Sequence, residues 1–568
     1  MQTTPPQLLS EYRRRGWWSE TRIPDLFDAS ARANPARLAV ADAPNRTTLT
    51  GAPALRLNYL QLEQLATAYM LRFIDLGLVR DDILITQLPN IAEYVAVYLA
   101  ALKLGMIVSP VPMQYRQHEL ELILSLTRAK ALLTLTQFKE NHPAQDAQAV
   151  TRRHGTQLLV LGNQAGSGMQ ALDGAEPTPA QRQILQQHLQ HHKPSSDDIA
   201  TICWTSGTEG KPKGVPRSHN HWMAISLAHL DGAGIRPADV LLNPFPLVNM
   251  AALGGCFMSW LHTGGTLLLH HPLDLPVYLE QIATDRPQYA IAPPAVLNRL
   301  LRDERLLALT DLSSLRCIGS GSAPLDPAMI RGFHDRFGIE IANMFGSNEG
   351  VSLVSSAAEA PEPEQRASLF PRFGRSDVHW PQRIASAIET RLVDPEQGSE
   401  ILKAGQPGEL QIRGPTVFDG YYAAPELTAE VFTPDGYFRT GDLFEIAASG
   451  GELRYYRFLG RLKQLIVRGG VKIAPEEIEA LLTQHPDIAE ASAMPYPDPV
   501  LGERICAVVV PRQHGAEIPL VSIQSHFRNA GVAVFKWPER VRTVASLPRN
   551  AVGKVVRQSL VGIAEASA

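Results

Sequence analysis

The sequence predicts an α/β protein. It has a large N-terminal domain of doubly wound sheets with a small β-barrel subdomain, followed by a small mobile α+β C-terminal domain. Between residues 57 and 135, segments of helical periodicity alternate with short apolar runs, which is typical of βαβ units and a largely parallel sheet. From residue 388 to 413 the period shifts to two, which indicates antiparallel strands. Near Gly460 the pattern of apolar and polar residues changes again. The remaining stretch of about 100 residues is large enough to fold as a separate domain.

The length and charge of the chain limit the classes of protein to which it can belong. With 568 residues it exceeds what one core usually supports, and we expect two domains, residues 1–462 and 463–568. A formal net charge of -4 provides no basic surface for nucleic acid. No apolar run is long enough to cross a bilayer and the N-terminus lacks a signal-peptide core, so we expect a cytoplasmic protein without an integral membrane segment. The four widely spaced cysteines indicate buried thiols in a reducing compartment, and neither zinc nor disulfides.

The elements of the large domain follow from hydrophobic periodicity. Helices are predicted at residues 59–76, 91–104 and 116–128, and strands at residues 83–85, 106–108 and 131–133. The second of these helices is apolar on nearly every side, so we expect it to be buried. Residues 162–198, rich in Gln, Ser, Gly and Pro, are interpreted as a loop and helix excursion within the same domain.

The C-terminal region has its own start signals. An apolar strand and a Gly469–Gly470 turn precede a helix that begins with Pro475 and carries Glu476 and Glu477 in its first turn. Proline at the first helical position and acids beside a helix N-terminus are strong indications of a helix start. Strands are predicted at residues 489–494, 505–511 and 541–544.

A polar, glycine-rich loop follows the buried strand predicted at residues 199–204, and a helix is predicted at residues 220–230. Glycines allow backbone N–H groups to face an anion, hydroxyls donate further hydrogen bonds and lysines supply charge, so this loop suits phosphate. It is not a Walker A loop, because Pro212 interrupts it and no Gly-Lys-Ser/Thr follows. Taken alone, such a cluster is as often a polar surface loop. Ligands of parallel sheets lie beyond the carboxyl ends of strands, so the loops at Thr205, Gly319 and Phe345 are predicted to share one edge.

The string Thr-Ser-Gly-Thr-x-Gly-x-Pro-Lys-Gly at residues 205–214 resembles the signature loop of the adenylate-forming (ANL) superfamily of acyl-CoA synthetases, aryl acid-AMP ligases and luciferases. Further blocks resembling that superfamily follow in the expected order, at residues 321–324, 344–350, 437–443, 460–463 and 547–554. The resemblance implies that a carboxylate attacks the α-phosphate of ATP, giving acyl-AMP and pyrophosphate, and that a thiol then displaces AMP. It implies ATP, Mg²⁺ and coenzyme A as cofactors and co-substrates.

The resemblance also implies roles for individual residues. Lys554, Glu349 and Lys213 are expected to be catalytic, with Glu349 holding the magnesium ion and Lys463 acting as the hinge of the small domain. Asp442 and Arg461 are expected to contact the ribose. The nucleotide site as a whole is expected to comprise Thr205, Ser206, Gly207, Thr208, Gly210, Lys213, Gly321, Ser322, Ala323, Pro324, Phe345, Gly346, Asn348, Asp442 and Arg461.

Two residues depart from the family pattern, because Glu209 and Asn348 stand where threonine is usual. A carboxylate facing phosphates would repel them, so we expect Glu209 to point outward, whereas the amide of Asn348 can still donate to an α-phosphate oxygen. The acid pocket is expected to involve Asn249, Met250, Gly319 and Gly321. No lysine or arginine is placed to clamp a second carboxylate and no aspartate to receive an ammonium group. The expected substrate is therefore an apolar acid, whether aryl, alicyclic or medium-chain fatty.

Three functions remain open from the sequence. The first is an acid-thiol ligase that makes acyl-CoA. The second is a stand-alone aryl acid-AMP ligase that loads the phosphopantetheine of a carrier protein; residues 12–18 and 345–350 resemble that branch, while residues 248–250 keep only the asparagine of its His-Asn-Tyr turn. The third is a non-catalytic nucleotide-binding homologue, which the retention of Lys213, Glu349, Asp442 and Lys554 disfavours. The expected partners are a small carboxylic acid and CoA or a carrier protein, with no nucleic acid, and a homodimer is left open.

Overall fold

The computed structural model describes residues 1–162, 165–206, 212–308, 310–321, 324–468, 471–498, 500–530, 532, 534–550 and 553–566. The helices are α1 Pro6–Arg14, α2 Ile23–Ala33, α3 Arg46–Thr50, α4 Tyr59–Asp75, α5 Ala92–Lys103, α6 Gln117–Thr127, α7 Pro143–His154, α8 Pro179–His191, α9 His219–Gly232, α10 Met250–Ala252, α11 Ser259–Thr263, α12 Leu275–Asp285, α13 Pro294–Arg302, α14 Glu304–Ala308, α15 Pro327–Phe337, α16 Pro363–Ser368, α17 Pro425–Val431, α18 Pro475–Thr483, α19 Leu520–Asn529 and α20 Val561–Glu565. The strands are β1 Leu38–Ala41, β2 Arg56–Asn58, β3 Ile83–Thr86, β4 Ile107–Pro110, β5 Ala131–Thr134, β6 Gln157–Leu161, β7 Gln170–Leu172, β8 Ile199–Ser206, β9 Pro212–Ser218, β10 Val240–Asn243, β11 Thr266–Leu269, β12 Tyr289–Ile291, β13 Cys317–Gly321, β14 Glu340–Gly346, β15 Ser352–Ser355, β16 Leu369–Pro371, β17 Glu389–Val393, β18 Pro407–Arg413, β19 Phe438–Ser449, β20 Glu452–Arg461, β21 Ile466–Arg468, β22 Val471–Ile473, β23 Ile488–Asp498, β24 Gly502–Pro511 and β25 Arg540–Thr543.

Two largely parallel sheets form the large domain, which confirms the predicted α/β class. One sheet runs in the order β15-β14-β13-β12-β10-β11-β1-β2, and the other in the order β7-β6-β5-β3-β4-β8-β9. Helix α5 is buried along its length, as its apolar composition predicted, and it shares one apolar cluster with strands of both sheets. Each fully buried aliphatic side chain contributes about 1.5–3 kcal/mol to folding, so this cluster is a main source of the stability of the domain.

The β-barrel subdomain is an antiparallel sheet in the order β16-β20-β19-β18-β17. Strands β17 and β18 pair antiparallel from Glu389↔Arg413 to Val393↔Glu409, which confirms the period of two in this region. A cluster of aromatic rings joins the subdomain to the end of β14: Phe345 lies 5.2 Å from both Phe444 and Phe458, between ring centroids. This packing fixes β14 relative to β19, and both strands carry predicted site residues.

The C-terminal domain is built on the sheet β22-β21-β24-β23, with β25 parallel to β24. Its own apolar cluster includes Ile466, Ile478, Val509 and Phe527, so it has a core separate from that of the large domain. Helix α18 begins with Pro475, as predicted. A 3₁₀ turn over Leu462–Gln464 joins β20 to β21, while the boundary at residue 462 and the mobility of the domain stay predictions.

Two expectations about the phosphate loop are wrong. Lys213 and Gly214, which were expected in the loop, belong to strand β9, which pairs antiparallel with β8 from Ile199↔Ser218 to Ser206↔Pro212, whereas the helix predicted at residues 220–230 is confirmed as α9. The common sheet edge is also wrong, because Thr205 lies in the sheet of β8 while Gly319 and Phe345 lie in the sheet of β13 and β14. Side chains and loops, described below, bring these two sheets together at the site.

Other expectations concern the surface and the thiols. All four cysteines are buried and free. Among the residues that the structure describes, no helix is long and apolar enough to span a membrane. The Gly469–Gly470 turn lies outside the described residues.

Candidate active site

The two ends of the signature sequence lie in paired strands, one at the end of β8 and the other at the start of β9. Thr205 pairs with Lys213 across the β8–β9 ladder, which sets the lysine side chain at the mouth of the hairpin. The Lys213 ammonium lies 5.2 Å from the centroid of the Tyr421 ring, within the range of a cation–π interaction. Residues 207–211 lie outside the described residues, and with them Gly207, Thr208, Glu209 and Gly210. The nucleotide contacts expected of Thr205 and Ser206 stay predictions.

Arg217 is the last residue but one of β9 and is fully buried, and no carboxylate of the described residues forms an ion pair with it. Its guanidinium donates to the backbone oxygens of Asn348 (3.0 Å), His221 (3.1 Å) and Thr416 (2.8 Å). Burial lowers the pKa of Arg217 to about 10, so it stays charged at neutral pH. This cation ties the hairpin to the Asn348–Glu349 block of the other sheet, and no motif singled it out.

The loop of residues 414–422 connects the hairpin to the block that contains Glu349. The N–H of Phe418 donates to the backbone oxygen of Glu349, and that of Tyr422 to the backbone oxygen of Gly214, both at 2.9 Å. The hydroxyl of Tyr421 donates to Glu349 Oε1 at 3.1 Å. Gly350 has φ +112° and a Cβ there would lie 2.0 Å from the oxygen of Thr416, so only glycine allows this close approach. Tyr421 is a second site residue that sequence reasoning missed.

The N-terminal segment that includes residues 12–18 packs on the same loop. The indole of Trp18 donates to the backbone oxygen of Pro415 at 3.2 Å, and its ring meets the buried ring of His221 edge-on at 4.9 Å. The hydroxyl of Thr4 donates to Asp419 Oδ2 at 2.6 Å. The segment therefore supports the loop from outside.

Asp442 and Arg461 face each other in the β19–β20 ladder. Arg461 Nε lies 2.7 Å from Asp442 Oδ1, and Asp442 is 1% exposed. Burial raises the pKa of Asp442 to about 7; Arg461 opposes the shift, Glu349 adds to it, and Lys554 also opposes it. The two residues predicted to hold the ribose are thus an ion pair in this structure.

Lys554 belongs to a tight turn in the C-terminal domain. Arg549 and Val555 form an antiparallel bridge, the N–H of Asn550 donates to the backbone oxygen of Lys554 at 2.8 Å, and Asn550 Oδ1 accepts from the N–H of Lys554 at 2.9 Å. Lys554 is exposed as a whole residue, but its ammonium group is desolvated. Burial of that group and the charge of Arg461 lower its pKa, whereas Asp442 and Glu349 raise it. The lysine predicted to enter the site from the small domain is therefore electrostatically coupled to Glu349 and Asp442.

Asn348 links the phosphate block to the predicted acid pocket. Its Oδ1 accepts from the N–H of Met250 at 2.8 Å, so its amide NH₂ is turned away from that contact. Asn249 caps the short helix α10, its Oδ1 accepting from Ala252 N at 3.4 Å. A Cβ at Gly254 would lie 2.8 Å from Met250 Sδ and 3.3 Å from His229 Cε1, so these two side chains pack together. Burial lowers the pKa of His229 to about 4, which keeps it neutral.

Neighbouring atoms occupy the space in which a side chain at the glycines of β13 would lie. A Cβ at Gly321 would lie 2.1 Å from the backbone oxygen of Met344, and a Cβ at Gly319 would lie 2.5 Å from the Tyr289 hydroxyl and 2.7 Å from Met344 Cε. Tyr289 and Met344 therefore fill the space beside Gly319. Gly346 is exposed at the end of β14, and Pro324 is exposed after β13. Ser322 and Ala323 lie outside the described residues.

The arrangement fits a magnesium–nucleotide complex. The carboxylate of Glu349 offers the oxygen ligands that a hard cation prefers, and the positive charges of Arg217 and Lys554 act on it. Asp442 is a buried acceptor of the kind that binds paired hydroxyls. Lys463 lies in the 3₁₀ turn between the domains, where a hinge was predicted, and its role stays a prediction.

The sequence matches two family models. Residues 27–422 match the AMP-binding enzyme model, and residues 477–554 match that of the AMP-binding enzyme C-terminal domain. The chain is 30% identical to the 2-hydroxy-7-methoxy-5-methyl-1-naphthoate–CoA ligase of Streptomyces carzinostaticus, over 98% of this chain and 95% of that protein. It is also 30% identical to the medium-chain fatty-acid–CoA ligase of Escherichia coli (strain K12), over 97% of this chain and 91% of that protein.

One further relative and one solved structure are also similar to this chain. Pyochelin synthase PchD of Pseudomonas aeruginosa (strain UCBPP-PA14) is 29% identical over 98% of this chain and 95% of its own length. The ATP-bound crystal structure of MatB from Rhodopseudomonas palustris superposes with a TM-score of 0.76 and 26% identity, over 96% of this chain and 99% of that one. With the family model matching more than half of its length, the chain belongs to the AMP-binding enzyme family, within the adenylate-forming (ANL) superfamily.

Proposed function

We propose that this adenylate-forming enzyme is an acid-thiol ligase that activates an apolar carboxylic acid as acyl-AMP and transfers the acyl group to coenzyme A. The observation that carries the proposal is the coupling of Lys554, from the C-terminal domain, to Glu349 and Asp442 of the large domain. A positively charged lysine from a second domain suits a reaction in which a carboxylate must approach the α-phosphate of ATP. The buried carboxylate of Asp442 suits the ribose hydroxyls of the same nucleotide. The chain's 30% identity to two CoA ligases supports the choice of reaction.

In the first step, a carboxylate oxygen of the acid attacks the α-phosphorus of ATP, and the bond from that phosphorus to the bridging oxygen of pyrophosphate breaks. Two anions meet in this step, so preorganised positive charge lowers the barrier. Lys554 is assigned to the carboxylate and α-phosphate, Lys213 to the leaving phosphates, and Asp442 with Arg461 to the ribose. Glu349 would hold magnesium, which when bound neutralises phosphate charge.

In the second step, the thiol sulfur attacks the acyl carbon and the acyl–phosphate bond breaks, releasing AMP. The thiol proton is lost to solvent as the thioester forms. We assign the present arrangement to the first step, and the influence of Glu349 and Asp442 on the pKa of Lys554 supports this assignment. A thiol needs an open path to the acyl carbon, so we propose that the domain after residue 462 rotates at Lys463 between the two steps.

The proposed acid is apolar because charged groups near the predicted pocket already have partners. Asp231 is paired with Arg383 and Asp239 with Arg316, so neither is offered to an amino-acid ammonium. His229 and Met250, which pack against Gly254, present a neutral imidazole and a thioether. The names of the two CoA ligases, for a naphthoate and for medium-chain fatty acids, support an aryl or medium-chain acid.

A second candidate keeps the first step and changes the acceptor to a carrier-protein phosphopantetheine. It is supported by residues 12–18, which resemble the aryl acid-AMP ligase branch and which support the loop of Tyr421 through Trp18 and Pro415. Pyochelin synthase PchD, at 29% identity, is a relative of comparable similarity.

The test is acid-dependent pyrophosphate release over a panel of aryl, alicyclic and short- to long-chain fatty acids, with CoA, with a phosphopantetheinylated carrier protein, or with neither. The proposal expects at least one apolar acid to give release, with acyl-CoA as the product. Acyl transfer to the carrier protein without transfer to CoA would select the second candidate. Nucleotide binding without release for any acid would overturn both.

A further inference from the structure

One aromatic side chain contacts both charged groups that are assigned to the phosphates. The hydroxyl of Tyr421 donates to Glu349 Oε1 at 3.1 Å, and the Lys213 ammonium lies 5.2 Å from the centroid of the same ring. Among the described residues, no other side chain forms a hydrogen bond to the Glu349 carboxylate. Burial and the charge of Glu349 hold the pKa of Tyr421 above its usual range, so its hydroxyl remains a donor throughout the working pH range.

The ring itself is held from several directions. The N–H of Tyr421 donates to Thr428 Oγ1 at 2.9 Å, and the ring of Phe418 meets the Tyr421 ring edge-on at 4.9 Å. Tyr422 follows it with its N–H on the backbone oxygen of Gly214. The position of the hydroxyl is therefore fixed by the loop and does not depend on Glu349, so the hydrogen bond constrains the carboxylate more than the tyrosine.

We propose that Tyr421 is a positioning residue for the metal–triphosphate site: its hydroxyl fixes the Glu349 carboxylate so that Oε2 is presented to the divalent cation, and its ring supports the Lys213 ammonium. The inference rests on the proposed function only for the identity of the nucleotide site. A hydrogen bond to a charged group restricts the carboxylate to one orientation, and the ring face attracts the lysine without neutralising it. The two contributions belong to different parts of one side chain, so different substitutions separate them.

The experiment compares Y421F, which removes only the hydroxyl, with Y421L, which removes the ring as well. Y422F is the matched control, because it deletes a hydroxyl from the neighbouring residue of the same loop. Mn²⁺ binding is measured by electron paramagnetic resonance on each protein saturated with α,β-methylene-ATP, which cannot release pyrophosphate. Binding of the analogue itself is measured by calorimetry in excess Mg²⁺.

Y421F is expected to weaken Mn²⁺ binding about 3- to 10-fold, the scale of one typical intramolecular hydrogen bond, with little change in affinity for the analogue at saturating Mg²⁺. Y421L is expected to weaken Mn²⁺ binding similarly and also to weaken binding of the analogue, because Lys213 loses its support. Y422F is expected to match the wild type in both assays.

Equal Mn²⁺ affinity of Y421F and the wild type would overturn the inference, as would the same loss in Y422F. If Y421L fails to fold, Y421F still decides the hydroxyl's role, because it keeps the ring. The readouts do not require turnover, so a failure of the proposed function, seen as no pyrophosphate release with any acid, is distinguishable from a failure of this inference.

Discussion

Arg461 and Asp442 lie directly opposite each other in the antiparallel pair β19–β20, with Arg461 Nε 2.7 Å from Asp442 Oδ1. The strand pairing places the two residues opposite each other, so the backbone register brings the two side chains within ion-pair distance. Asp442 is nevertheless so deeply buried that its pKa is raised to about 7, because the ion pair only partly offsets desolvation. This places the titration of a predicted ribose contact in the physiological range.

The affinity for ATP is therefore expected to rise with pH through about 7. Below that pH Asp442 is protonated and accepts hydrogen bonds from the ribose hydroxyls poorly, so the KM for ATP should rise by up to about tenfold per pH unit. D442N is expected to bind ATP more weakly and with a flat profile, measured as KM for ATP from pH 5.5 to 8.5. A D442N profile as steep as that of the wild type would contradict the assignment. Because the pKa of Asp442 is raised in the folded state, ionisation also costs the folded protein stability as pH rises through 7, and D442N should remove that decline.

K554A is expected to separate the two steps. Loss of one preorganised charge contact should lower adenylation by roughly 10²–10³-fold, because the contact acts where charge develops. Thioester formation from supplied acyl-AMP should survive, since that step does not bring two anions together. The two rates are measured on one preparation, and an equal fall in both would show that Lys554 does not belong to the first step.

Arg217 is expected to contribute both to the stability of the large domain and to the binding of ATP. R217M removes the donors to the backbone oxygens of Asn348, His221 and Thr416, and each buried acceptor left unsatisfied costs about 1–3 kcal/mol. We therefore predict a fall in the melting temperature of the large domain together with a higher KM for ATP. The matched control is R14M, at an exposed position of α1, which should change neither. Similar behaviour of the two variants would show that the buried guanidinium does not hold the site.

The hinge is tested with K463P. Residue 463 lies in the 3₁₀ turn Leu462–Gln464, whose φ is compatible with the roughly −65° that proline imposes. The substitution should favour the present arrangement, so acyl-AMP formation should stay within about tenfold, or roughly 1.4 kcal/mol in barrier terms, while thioester formation falls much further. ATP–pyrophosphate exchange and CoA-dependent AMP release are compared. If both fall together, or neither falls, the hinge is not at Lys463.

The fold was predictable where local pattern and environment agree. Helix α5 is apolar all round and is buried, and α18 begins at Pro475 as its start signal indicated. Strand β9 was missed because Pro212 and Pro216 disfavour strands in sequence reasoning. They are tolerated here because β9 pairs only with β8 at the edge of its sheet.

Candidate site residues could be proposed from motifs, but their contacts could not. Glu349, Asp442 and Lys554 were proposed from short blocks, and their roles stay predictions. Tyr421 lies 72 residues from its partner Glu349, and Arg217 lies 131 and 199 residues from its partners Asn348 and Thr416. Nothing in the spacing of a single sequence reports such distant pairs. The packing of Met344 and Tyr289 beside Gly319 was not predictable for the same reason, because both side chains come from neighbouring strands.

Formation of acyl-AMP is tested most directly by acid-dependent exchange of labelled pyrophosphate into ATP, measured on the wild type without any thiol. We predict exchange with at least one aryl or medium-chain acid, none without acid, and a loss of roughly 10²–10³-fold in K554A. Exchange that is absent for every acid while ATP still binds, or that is undiminished in K554A, would contradict this prediction.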